Sequence, residues 1–152
     1  RFTKILAGHL TKATGLNCLE ATDGMILEAG RVYIAPGEYH MVVEKKNGGY
    51  CLKLTQEPAE NFCRPAVDPM FRSLTQEFGA SVLGVILTGM GHDGLKGSKV
   101  IVDGGGTIIA QDEETSVVWG MPGAVSEAGI CSAVMPINEL ASKAQRIVQG
   151  GR

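Results

Sequence analysis

Hydrophobic residues recur along this chain with two periods, one helical and one strand-like. Phe2, Ile5, Leu6, Leu10 and Ala13 fall at helical spacing, and Gly15 stops the run. His9 lies near that apolar face and reads as an edge or partly buried histidine. Asn17 to Ala21 reads as a short strand, Thr22-Asp23-Gly24 as a turn, and Arg31 to Ala35 as a strand closed by Pro36-Gly37. Tyr39 to Glu44 and Tyr50 to Thr55 read as a hairpin. In its second arm Tyr50, Leu52 and Leu54 alternate with Cys51, Lys53 and Thr55, and Asn47-Gly48 supplies the positive φ angles of a tight turn. This antiparallel part is expected on the flank of a larger sheet.

Beyond a loop from Glu57 to Arg64 the helical period returns. Asp68 is placed to cap a helix with Pro69 at its first position. Val67, Met70, Phe71, Leu74 and Phe78 mark its apolar face, and Gly79 closes it. Val82 to Leu87 is apolar apart from Gly84, which predicts a central strand buried on both faces. Leu95 to Val102 reads as a helix halted by Gly104-Gly105-Gly106, and Thr107 to Ala110 as a second buried strand. Pro122 begins a short helix that Gly129 ends, and Cys131 to Met135 is a last strand. Ile137, Leu140, Ala144, Ile147 and Val148 make a final amphipathic helix. Helices and strands alternating in this way imply an α/β fold with a parallel sheet and right-handed crossovers.

Composition narrows the function. At 152 residues the chain supports one domain with a real core, and 21 glycines suit many tight strand–helix turns. A net charge of −2, with Lys45-Lys46 only a hairpin flank, argues against nucleic acid as a partner. No apolar run reaches membrane-spanning length and no signal peptide is visible. The chain begins at Arg1 with no initiator Met, which reads as an excerpt of a longer protein. Cys18, Cys51, Cys63 and Cys131 form no C-x-x-C pair, as expected of reduced structural thiols in a cytoplasmic protein.

Candidate chemistry concentrates in Leu87-Thr88-Gly89-Met90-Gly91-His92-Asp93-Gly94, between a strand and a helix N-terminus. Open α/β sheets place their sites there. Gly89, Gly91 and Gly94 spell the dinucleotide fingerprint G-x-G-x-x-G, with Asp112 at the end of the next strand as a ribose ligand. Against that reading, Asp93 is expected at the helix start where a pyrophosphate would sit. The same carboxylate suits a catalytic triad acid, kept ionised by helix N–H groups, with the Met90 N–H free to face an oxyanion. As a plain N-cap Asp93 would contribute about 1 kcal/mol. Residue types alone do not decide between cap and triad acid.

Leu87 to Gly94 resembles the L-T-G-M-G-x-D-G signature of the chemotaxis protein-glutamate methylesterases. Tyr33-Ile34-Ala35-Pro36-Gly37 with His40 resembles that family's Y-I-A-P-G-x-x-H. Arg64-Pro65-Ala66-Val67-Asp68 with Phe71-Arg72-Ser73 resembles its R-P-S-V-D-x-x-F-R-S. Ala110-Gln111-Asp112-Glu113 and Gly120-Met121-Pro122 with Ala124 follow in order, so the resemblance covers essentially the whole chain. It implies a doubly wound, mostly parallel α/β sheet with an antiparallel hairpin flank. It also implies hydrolysis of glutamyl methyl esters, and deamidation of glutamines, on the cytoplasmic helices of methyl-accepting chemoreceptors. The implied chemistry is a Ser-His-Asp triad with no metal or organic cofactor. Asp93 matches the triad aspartate, and Met90 the residue that lends its backbone N–H to the oxyanion hole.

The departures are specific. The family's serine lies in G-A-S-T-G-G and its histidine in Q-H-M-P, and neither motif occurs in this sequence. His40 matches a non-catalytic histidine, and His92 fills the variable position of the glycine motif. Residues 1–152 therefore read as an N-terminally truncated methylesterase catalytic domain. No receiver domain lies in the chain, one triad member of three is present, and the chain alone is expected to be inactive. The alternative is a non-catalytic receptor-binding or folding fragment, with a dinucleotide-binding domain a distant third. Arg64 and Arg72 read as salt-bridge or exposed charges, Trp119 as packing or site mouth, Asp112 as a turn residue and Glu113-Glu114 as a solvated face.

Overall fold

The computed structural model describes residues 1–150. Local signals fix most of its elements. Helix α1 (Phe2–Thr14) stops where Gly15 turns left-handed at φ 72°. Strands β1 (Asn17–Glu20) and β2 (Arg31–Ile34) follow, then the hairpin of β3 (His40–Lys46) and β4 (Gly49–Thr55). Asn47 and Gly48, at φ 51° and 80°, make the expected turn. Next come α2 (Val67–Phe78), a 3₁₀ turn, β5 (Leu83–Ile86), α3 (Leu95–Asp103) and β6 (Thr107–Gln111). The chain closes with α4 (Gly120–Glu127), β7 (Ala133–Met135) and α5 (Ile137–Val148). Helix α4 begins two residues before Pro122, and Cys131 stands just ahead of β7.

The strands form separate sheets. β5, β6 and β7 pair in parallel in that order, β3 and β4 pair antiparallel, and β1 pairs with β2 in parallel. The α/β class with an antiparallel flank stands, but β5 is an edge strand and β6 is the middle one. Its two faces also differ. Gly84 and Ile86 are buried, whereas Val85 is 37% and Leu87 46% exposed, so burial on both faces is corrected. An apolar run does not reveal whether a strand is covered fully on one face or on both. Gly84 has a packing reason: a Cβ there would lie 2.5 Å from Ile108 Cδ1.

Phe71, Val82, Ile86, Ile101, Ile108, Ala110 and Val125 form one core. A second one, under the hairpin, is built on Ala21, Met41, Val43 and Leu52. Met70, Leu74 and Phe78 of α2 pack against both, which makes α2 the shared wall. Each fully buried aliphatic chain contributes about 1.5–3 kcal/mol by leaving water. The apolar face expected of α1 is mostly uncovered. Ala7 is buried, but Phe2 is 75% exposed, and Ile5 and His9 also face solvent. All four cysteines are free, and burial pushes the Cys131 thiol up. Among the described residues no helix is long and apolar enough to cross a membrane.

Candidate active site

The site grows from the carboxyl ends of β5 and β6. The loop after β5 and the loop after β6 are tied together by backbone and side-chain bonds. The Thr88 N–H donates to Gln111 Oε1 at 2.9 Å, while Gln111 Nε2 donates to the Thr115 carbonyl at 2.8 Å. Thr88 Oγ1 accepts from the Val118 N–H at 2.8 Å, and the Gly89 N–H donates to the Val118 carbonyl. Gln111 is buried, and it holds the glycine loop in place. Asp112 makes the expected turn, accepting from the backbone and hydroxyl of Thr115. A Cβ on Gly120 would lie 2.7 Å from the Gly91 carbonyl, so α4 starts hard against this loop.

Two carboxylates organise the corner between α2 and α3, and each serves the helix that does not carry it. Asp93 stands just before α3, yet its Oδ2 accepts from the Val67 N–H at 2.7 Å and its Oδ1 from the Asp68 N–H at 3.3 Å, both at the start of α2. Asp68, in the first turn of α2, accepts on Oδ1 from Gly94 at 3.1 Å and Gly97 at 2.7 Å, at the start of α3. The expectation that Asp68 caps its own helix is therefore corrected. The N-cap position of α2 is Ala66, and Asp68 lies inside the helix. The expectation that Asp93 fills the start of α3 is corrected too. Gly94, at φ 97°, swings the backbone so that Asp93 turns to α2. Gly97 allows the two helices to meet, since a Cβ there would lie 2.7 Å from Phe71 Cβ. A dinucleotide pyrophosphate would still be excluded, but by Asp68.

Asn61 joins the two. Its Nδ2 donates to Asp68 Oδ2 at 2.8 Å and to Asp93 Oδ1 at 2.9 Å. Nothing in the sequence singled out this loop residue, although an asparagine between Pro58 and Pro65 is a fair turn signal. Asp93 is 8% exposed. A carboxylate offers about four acceptor positions. Among the described residues three are filled, and the open one is on Oδ2.

Met90 projects its side chain into solvent, and among the described residues its N–H donates to no protein group. His40 is buried and structural. The Ala66 N–H donates to its Nδ1 at 3.2 Å, so Nε2 carries the proton and donates to the Pro58 carbonyl at 2.9 Å. His9 and His92 are exposed. Ser73 Oγ accepts from the Val43 N–H and donates to the Met70 carbonyl. Arg72 forms a two-pronged pair with Glu60 at 2.8 and 2.6 Å, which holds the Glu60 carboxyl below its usual range. Arg64 donates to the Gln56 and Glu57 carbonyls, and Trp119 packs against Gly123. A groove of about 650 Å³ between the hairpin and α2 is lined by Glu44, Lys53, Arg72 and Gln76, and Asp93 does not line it.

A family model described as CheB methylesterase matches residues 1–144. A protein-glutamate methylesterase/protein-glutamine glutaminase of group 2 operon from Rhodospirillum centenum is 55% identical over 146 residues, covering 96% of this chain and 37% of that protein. A protein-glutamate methylesterase/protein-glutamine glutaminase from Azospirillum brasilense is 59% identical over 140 residues, covering 91% of this chain and 36% of that protein. The chain thus spans little more than a third of the length of these curated relatives. The crystal structure of the Thermotoga maritima CheB methylesterase catalytic domain superposes with a TM-score of 0.90 at 41% identity, covering 93% of this chain and 75% of that one.

Proposed function

We propose a function from one premise: this chain belongs to the CheB methylesterase family. In the whole protein, residues 1–152 supply the acid arm and an oxyanion donor of a protein-glutamate methylesterase. The serine and histidine come from the G-A-S-T-G-G and Q-H-M-P motifs that this sequence does not contain. The substrate is a glutamyl methyl ester on a cytoplasmic helix of a methyl-accepting chemoreceptor, and the same centre deamidates glutamine. The relatives' greater length leaves room for a receiver domain that regulates the catalytic one.

The single observation that carries this reading is the state of Asp93: buried, fixed by three donors, and left with one acceptor position on Oδ2. A histidine N–H takes that position, which fixes the ring's tautomer and stabilises the imidazolium. The serine hydroxyl attacks the ester carbonyl as the histidine takes its proton. The oxyanion faces the Met90 N–H, methanol leaves with the proton, and water releases glutamate from the acyl-enzyme. For glutamine the leaving group is ammonia. No step uses a metal or an organic cofactor.

The test is Asp93→Asn in the full-length protein, read as methanol release from methylated receptor. Turnover is expected to fall by ~10⁴-fold, as for the corresponding change in serine proteases. Near wild-type turnover would remove Asp93 from the mechanism.

A further inference from the structure

We infer that Asn61 is a positioning residue for Asp93: its amide fixes the carboxylate plane and leaves Oδ2 as the oxygen that receives the catalytic histidine. This rests on the reading of Asp93 as the triad acid, and it assigns a role to a loop that the mechanism above does not use.

The first support is geometric. One amide nitrogen carries two hydrogens, and each of them has a carboxylate: Asp68 Oδ2 at 2.8 Å and Asp93 Oδ1 at 2.9 Å. With the Asp68 N–H also on Oδ1, that oxygen is saturated. An incoming imidazole N–H is therefore directed to Oδ2. The second support is chemical. A lysine or arginine in this place would also bind both carboxylates, but it would offset the negative charge that Asp93 must present to an imidazolium. An amide orients the carboxylate and leaves that charge unspent.

The third support is how the loop is built. Asn61 and Phe62 are both left-handed, at φ 54° and 65°. Consecutive non-glycine residues in that region persist only where the surroundings hold them. Here they do. Glu60 and Cys63 exchange backbone hydrogen bonds at 3.0 and 2.9 Å. Arg72 of α2 grips Glu60, and the His40 ring binds Pro58 at one foot of the loop and Ala66 at the other. Yet Phe62 at the tip is fully exposed, so the loop buries no large apolar side chain there. What this strained, well-anchored turn delivers to the interior is the Asn61 amide.

The experiment uses the full-length methylesterase with Asn61→Gly, which keeps the left-handed backbone and removes the amide. Asn61→Asp is its companion: it keeps the shape and loses both donor hydrogens. In each, kcat is expected to fall about 10- to 100-fold with KM unchanged, the scale of a modest misplacement of a reacting group. In the Asp93→Asn background the same substitutions are expected to change kcat by less than about twofold, because residues that act as a unit are not additive. Wild-type kcat in both folded single variants would overturn the proposal. So would an undiminished further loss in the Asp93→Asn background, which marks a structural role independent of Asp93. If Asp93→Asn itself retained near wild-type turnover, the triad reading would fall first, and the two failures are thereby told apart.

Discussion

The corner where α2 and α3 begin and the face of β5 that looks towards α5 are opposites. In the corner, the Val67, Asp68, Gly94 and Gly97 N–H groups, the Asn61 amide and two buried carboxylates all find partners within this chain. On that face of β5 the apolar side chains are only partly covered, with Val85 37% and Leu87 46% exposed. Val85, Leu87 and Ile137 line a shallow groove with Ala141 and Ala144, and elsewhere in the fold Phe2 and Ile5 of α1 stand in water. The contrast separates two kinds of completeness. Hydrogen bonds are short-ranged and directional, so a corner can be finished by residues close to one another. Apolar burial needs area, and the face of a strand is covered only as far as another element lies across it.

The largest effect tests the corner's self-sufficiency against its chemistry. Residues 1–152 alone are expected to turn over glutamyl methyl esters on the order of 10⁶-fold more slowly than a domain completed with the serine and histidine motifs. Methanol release measured side by side decides it, and turnover within tenfold of the completed domain would mean that a serine and a histidine of this chain do the work.

Next is Asp68→Ala, which strips the Gly94 and Gly97 amides of their acceptor in a buried place. A loss of about 3 kcal/mol is expected in urea unfolding. A change under about 0.5 kcal/mol would show that the corner tolerates unanswered donors. The same measurement on Val85→Lys with Leu87→Glu should show a smaller loss of about 2 kcal/mol, because each side chain is only partly covered against α5. Those substitutions should also abolish a concentration-dependent self-association expected of the unmodified chain and visible by sedimentation. A monodisperse unmodified chain would count against the open face as an adhesive surface.

The smallest effect is Glu60→Gln, beside the corner. The Arg72 hydrogen bond lowers the Glu60 pKa, so the pair's contribution is present above the ordinary glutamate range and is lost as pH falls through the lowered value. The pair is half exposed, and about 0.5 kcal/mol is expected at neutral pH. Thermal melts of both proteins should converge in acid, and a gap that persists or widens there would contradict the assigned cause.

Much of this molecule was legible along the chain. The helical and strand periods marked the elements, Gly15 and Asn47-Gly48 marked their ends, and the Leu87–Gly94 signature pointed to Asp93 and Met90. These features depend on neighbours a few positions apart, and a sequence displays such neighbours directly. Asn61 was not legible, because its meaning is two carboxylates at positions 68 and 93. The parallel pairing of β1 with β2 and the edge position of β5 were hidden for a similar reason, since periodicity carries no record of which strand lies alongside. The sequence by itself determined that two carboxylates and two helix N-termini would exist. The tertiary structure decided that each carboxylate serves the other's helix. Gly94 in a left-handed conformation and the close approach at Gly97 bring the two helix starts together, and a carboxylate binds the N–H groups it can reach in space, not those nearest along the chain.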